Sequence, residues 1–266
     1  MKNLQALLVL LLMVAGCHPA TPPEEPDVIQ NGIRWAGEDE TANYLANSGL
    51  SHYMNIELEA AYMLSQHAVR LDSSLFASHT LLAMLTTGDE KQMHKEMANK
   101  YVMNENETSK LFVSLLDVEN DTTREQRRAL WTQMHELSNG PFIHHMYIRF
   151  MDIEKDTAAV IAELDNLIGF AEENGMIAAA SASYNIKGYL LQSAGDLAGG
   201  TTAIDKYMEL YPGGYNPLDS RAEFYLFAGD TTSAIEMYKK VLEKFPYATS
   251  ATEQLDELAD GDEDDN

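Results

Sequence analysis

Eight histidines, one cysteine and a set of serines and carboxylates are the residues in this chain able to do chemistry. Their spacing decides whether they do. A helix that binds a metal presents two ligands three or four residues apart, as in H-E-x-x-H. The only adjacent histidines are His144 and His145, and neighbours on a helix point about 100° apart, so they do not share a ligand face. There is no repeated C-x-x-C and no G-x-S-x-G nucleophile elbow. Gly199-Gly200 lacks the strand-to-helix setting of a phosphate cradle. Asp260, Asp262 and Asp264 alternate like calcium ligands, but the sixth loop position is Asp265 where a calcium loop needs glycine. The expectation is packing and surface histidines, no metal, no cofactor and no catalytic centre. Gly213-Gly214-Tyr215-Asn216-Pro217 reads as a turn whose Tyr215 is free to touch a ligand. The 14 methionines read mainly as core filler.

The sole cysteine, Cys17, is explained by its neighbours. Residues 1–16 place Lys2 before an apolar run from Leu4 to Val14. That run is shorter than the roughly 20 residues of a permanent membrane span and reads as a cleaved signal peptide. Val14-Ala15-Gly16-Cys17 resembles the bacterial lipoprotein lipobox. The resemblance implies cleavage after Gly16 and acylation of the Cys17 sulfur and its new amino group. His18, rather than Asp, implies by the same resemblance an outer-membrane destination. Four prolines within residues 18–27 favour an extended tether, assigned to residues 17–40.

Beyond the tether the chain is rich enough in apolar residues to fold, and its pattern repeats. Gly195-Asp196 recurs as Gly229-Asp230, and Tyr211-Pro212 recurs as Phe245-Pro246. Both offsets are 34 residues, the period of tetratricopeptide (TPR) repeats. In that register the small residue of the first helix is Gly188 or Ala222, and that of the second is Gly200 or Ala234. A large apolar residue, Ile204 or Tyr238, comes four positions later. Gly49, Ala61, Ala68 and Ser73 fit an upstream repeat. Ala129 with Pro141 closing the turn fits another, and Gly88-Asp89 is a turn of the same kind. Segments 76–109 and 144–180 are degenerate hairpins. On these residues the chain resembles the TPR family. The implied fold is all-α: a right-handed superhelical solenoid of about six hairpins over residues 41–250, with some 70% of residues 42–248 helical. Tyr207 and Val241 depart from the family pattern, which has small residues there. Residues 251–266 are expected to be a disordered acidic tail.

By the same resemblance, the first helix of each pair lines a concave face. This nominates Asn185, Tyr189, Gln192, Asp219, Glu223 and Phe227 as the surface for a protein or peptide ligand. The formal charge of −24 repels phosphate backbones and argues against nucleic acid. It also argues against the family's carboxylate clamp, which needs Lys and Arg in the groove, and leaves room for a basic partner. The function expected is a membrane-anchored scaffold for protein contacts at the bacterial cell envelope. Accessory subunits of outer-membrane assembly or nutrient-uptake machinery, and an enzyme of unknown type, are the alternatives.

Overall fold

In the computed structural model, residues 32–118, 123–152 and 156–264 are described. Residues 1–16, read above as a signal peptide, and Cys17 lie outside them. Among the described residues the fold is all-α, with 13 α-helices packed as consecutive TPR-like hairpins. The hairpins are α1 (Glu40–Met54) with α2 (Leu58–Leu71), α3 (Phe76–Leu85) with α4 (Gly88–Tyr101), and α5 (Glu107–Ser114) with α6 (Thr123–Leu137). They continue as α7 (Pro141–Phe150) with α8 (Thr157–Glu173), α9 (Ile177–Ser193) with α10 (Leu197–Leu210), and α11 (Asn216–Phe227) with α12 (Thr231–Lys244). A last helix, α13 (Thr249–Asp264), packs on α12.

The Gly-Asp pairs do two jobs at once. Gly195 takes φ +88° and Gly229 φ +79°, a left-handed conformation that costs glycine little. Asp196 and Asp230 then cap the next helix, accepting from the backbone N–H of Gly199 and Ser233. The same turn joins α1 to α2, but there Ile56 sits where glycine would, at φ +61°. A β-branched residue in that region is a genuine outlier, and the residue after it, Glu57, is buried. Close helix approach accounts for Gly188: a Cβ there would sit 2.7 Å from Ile204 and 3.3 Å from the Gly200 carbonyl oxygen.

α3 is buried on all sides, from Phe76 to Ala83, as expected of a helix apolar all round. It joins one core with residues of α1 and α4 through α9. The array therefore curls. Its first hairpin meets the fifth and sixth hairpins and α13, rather than leaving an open superhelix. Tyr207, fully buried, donates from its hydroxyl to the Asn55 carbonyl at 3.2 Å. Ser181 donates to the Asn55 side chain at 3.0 Å. The bulky residue that breaks the family pattern is thus a spoke reaching across to the α1–α2 turn.

Four sequence expectations are corrected. The segment assigned to the tether is docked at its end: Ile33 is buried, and Trp35 packs against Phe112 and Phe142 at ring-centroid distances of 5.7 and 5.6 Å. Ala129 is not buried; Trp131 and Met134 take the buried face of α6, a register shifted by two residues. Pro141 opens α7 instead of closing the preceding repeat, since its missing N–H costs nothing at the first helical position. The acidic tail is helical over Thr249–Asp264, anchored by Ala251, which is fully buried.

Candidate protein-binding surfaces

The six nominated residues lie on α9 and α11, whose first-helix faces stack side by side. Stacking buries two of them. Asn185 is 2% exposed and accepts from the Ser220 hydroxyl at 3.0 Å. Asp219 is 8% exposed and accepts from Ser250 of α13 at 3.1 Å. Burial first, and then the neighbouring Glu223 carboxylate, raise the Asp219 carboxyl to about 6. Tyr189 donates to Glu223, and its ring meets Phe224 edge-on at 5.4 Å. Burial and Glu223 push the Tyr189 phenol far above its usual range. Gln192 and Glu223 are half-buried. Phe227 alone of the six is open, at 44% exposure. Asn185 and Asp219 are therefore spent inside the fold, Asn185 bonded to the first helix of the next hairpin and Asp219 to α13.

The glycine-rich loop is corrected in the same way. Tyr215 is buried, stacks on Phe245 at 4.6 Å, and donates its hydroxyl to Glu59 at 2.9 Å. It cannot reach a ligand. The reason is Glu57, which is 0% exposed. One carboxylate oxygen accepts the backbone N–H of Tyr215 and that of Asn216, the latter at 3.0 Å. The other accepts the Tyr211 hydroxyl at 3.0 Å and pairs with His52. A carboxylate at the N-terminus of α11 satisfies backbone donors that the helix cannot. Here it comes from 159 residues away in sequence. No local pattern marks such a cap. The only signal is Glu57 standing where later repeats have Asp196 and Asp230.

The free apolar surface lies elsewhere. Met63 and Leu58 of α2 are 46% and 43% exposed. They line an open cleft of about 610 Å³ with Leu85, Tyr62, Glu59 and Glu90. The cleft is acidic at its polar wall. Glu90 accepts Tyr62 Oη and Gln66 Nε2, each at 2.8 Å. Met93 and Met103 are also exposed, at 49% and 70%, so the methionines are not all core.

His144 and His145 diverge as their spacing requires. His145 is buried with neither ring nitrogen hydrogen-bonded, and burial depresses it to about 3. His144 instead stacks on His135 of α6 at 4.7 Å and lies 2.7 Å from Glu163 of α8. Sequence spacing on one helix does not reveal a cluster drawn from three.

No family model matches the chain, and no curated protein does. Among solved structures it is similar to the APC/C hetero-tetramer Cut9–Hcn1, with TM-score 0.47 and 14% identity over 82% of this chain. The chain spans 43% of that one's length. It is also similar to PilW, a type IV pilus biogenesis factor, with TM-score 0.46 and 11% identity over 82% of this chain and all of that one. A third is MamA, with TM-score 0.32 and 16% identity over 77% of this chain and 92% of that one.

Proposed function

We propose that the protein is an exported, lipid-anchored scaffold that captures a basic, partly apolar segment of a partner protein. The observation that carries the binding reading is the α2 cleft. Two large apolar side chains stand open beside Glu59 and Glu90, on a chain with 42 acidic and 18 basic residues. Apolar anchors supply affinity, and the surrounding negative field steers a cationic partner and rejects an anionic one. The face led by Phe227 and Tyr189 is the competing location. Anchoring rests on the lipobox ending at Cys17, which would hold the scaffold at the cell envelope, in the outer membrane by the His18 reading.

Full-length protein titrated with a labelled Lys/Leu amphipathic peptide tests the binding site. Leu58→Ser with Met63→Ser should weaken capture about tenfold or more, since each central anchor carries on the order of 1 kcal/mol. Binding should fall with added salt. Loss of binding in Tyr189→Ala with Phe227→Ala, and not in the α2 variant, would move the site to the α9–α11 face. For the anchor, Cys17→Ser should abolish acyl labelling and release the protein from the membrane fraction. An unlabelled wild-type protein, or full retention of the variant, refutes the anchor while leaving the binding site untouched.

A further inference from the structure

His135, His144 and Glu163 stand on three consecutive helices, α6, α7 and α8, with one ligand atom from each within 4.8 Å of the others. His144 Nε2 lies 2.7 Å from Glu163 Oε1. The two imidazoles are tilted 29° from parallel. His135 also stacks on Tyr147, at 4.4 Å between ring centroids. His135 Nδ1 is buried without any hydrogen-bond partner. A buried ring nitrogen without a partner calls for an explanation, and this one, unlike those of His145, stands beside a second histidine and a carboxylate.

We propose that these three side chains bind a divalent transition-metal ion of the zinc type, which rivets the third hairpin to the fourth. Two imidazoles and one carboxylate are a known zinc donor set, with bonds of about 2.0–2.2 Å and a fourth position left for water. Ligand atoms on a tetrahedral ion stand about 3.3 Å apart by that geometry. His144 and Glu163 are closer than this, so their hydrogen bond must open to admit the ion while the His135 ring rotates toward both. The surroundings suit the chemistry. His144 and Glu163 keep side-chain exposures of 13% and 31%, giving an ion a path from solvent. Asn166 reaches the second Glu163 oxygen at 3.4 Å and orients the carboxylate from behind. Glu136 adds a nearby negative charge. This inference is independent of the partner-binding reading, because the cluster lies on α6–α8 and the cleft on α2.

The experiment is titration of metal-free full-length protein with Zn²⁺ by calorimetry, with Co²⁺ as a spectroscopic stand-in. The expected result is one ion per chain, with the visible d–d bands of a four-coordinate Co²⁺ site and a raised thermal midpoint. His135→Asn, His144→Ala and Glu163→Gln should each weaken binding more than about thirtyfold. Asn166→Ala, which keeps all three ligands, should weaken it about tenfold. His67→Ala removes a histidine of α2, far from the cluster in the chain, and should change nothing. Binding should weaken as pH falls, since a metal ion takes its ligands deprotonated. Helical circular dichroism of each variant separates lost ligation from lost fold, and the Co²⁺ spectrum of the wild type needs no variant. The proposal is overturned if the wild type lacks these Co²⁺ bands, if it binds zinc no more tightly than about 100 μM, the range of loose surface contacts at a few kcal/mol of binding free energy, or if folded ligand variants bind as the wild type does.

Discussion

Removing the Glu57 side chain should open the curl. Glu57→Ala deletes an acceptor that serves four donors: the backbone N–H groups of Tyr215 and Asn216, the Tyr211 hydroxyl and the His52 ring. The two backbone donors have no evident replacement in a site with no solvent exposure at the carboxylate, whereas Tyr211 and His52 still lie 3.2 Å from each other. Each hydrogen bond to a charged group contributes about 1.5–3 kcal/mol, and each orphaned buried donor costs about 1–3. Against this, the carboxylate no longer has to be desolvated, which offsets much of the gain. The net expected cost is that of breaking a buried ionic contact by removing one partner, about 3–5 kcal/mol. Glu57→Gln is the graded comparison. Its carbonyl oxygen still serves the α11 N-terminus, so it should cost roughly 1–2 kcal/mol, the worth of the lost charge assistance.

The assay is urea unfolding followed by circular dichroism, joined to native-state hydrogen exchange. With a slope near 3 kcal/mol/M, the alanine variant should lose about 1–2 M in its midpoint. Exchange adds spatial resolution. In a stack held only by neighbours, stability is a sum of local terms. A contact between the first hairpin and the sixth adds a term that no neighbour sum contains. Protection should therefore fall first in α1, α2 and the α10–α11 loop, while α6–α8 changes little. A Glu57→Ala midpoint within about 0.3 M of wild type, with uniform protection, would refute the closure: about 1 kcal/mol is what one ordinary hydrogen bond contributes.

Two further predictions test the interior. Gly188→Ala puts a methyl 2.7 Å from Ile204 and should cost about 1–3 kcal/mol by overpacking, whereas Gly169→Ala, in α8 with nothing within 4 Å, should stabilise by about 0.5–1 kcal/mol through helix propensity; denaturation midpoints moving the same way in both would show that the α9–α10 approach is not tight. Asp219 has a native carboxyl raised from 3.8 to about 6, so the folded state holds its proton more tightly, and stability declines as pH rises through that window. Two pH units are worth about 3 kcal/mol; Asp219→Asn should match the wild type near pH 4 and exceed it by up to about 3 kcal/mol at pH 7. Buried His79, depressed to about 4, and His145, depressed to about 3, act with the opposite sign in both proteins, so the measurement is the difference between the two pH profiles, and a flat difference would refute the account.

The hairpins were legible because their signals are local. A glycine that must take positive φ, an aspartate that must cap and a proline that must stop the helix each act within a few residues. The last two hairpins, where Gly195-Asp196 and Gly229-Asp230 keep all three devices, fall as expected. The first hairpin hides its turn, because Ile56 and Glu57 replace the Gly-Asp pair. The third hairpin misled: Ala129 looks like the small residue of the repeat, yet the α6 surface that must fill space beside Phe112 and Phe142 calls for the bulk of Trp131. Period alone does not tell a small residue that packs from one that merely occurs.

The candidate site was less legible because it depends on how far the stack curls, and curl is a sum over every interface. Whether a first-helix position meets a ligand or the next helix depends on side chains a repeat away, and here Asn185 and Asp219 bond Ser220 and Ser250. Closure is in turn written in side chains that break the repeat pattern: Tyr207 where a small residue belongs, and Glu57 where a local cap belongs. Those departures carry the information that the period lacks. They span the molecule and meet at one turn, the Asn55–Glu57 corner, whose strained Ile56 backbone is held at φ +61° by contacts on either side. A partner that binds the exposed face of α2, immediately beyond the same corner, would leave the closure intact and draw on apolar surface that the fold has not already used.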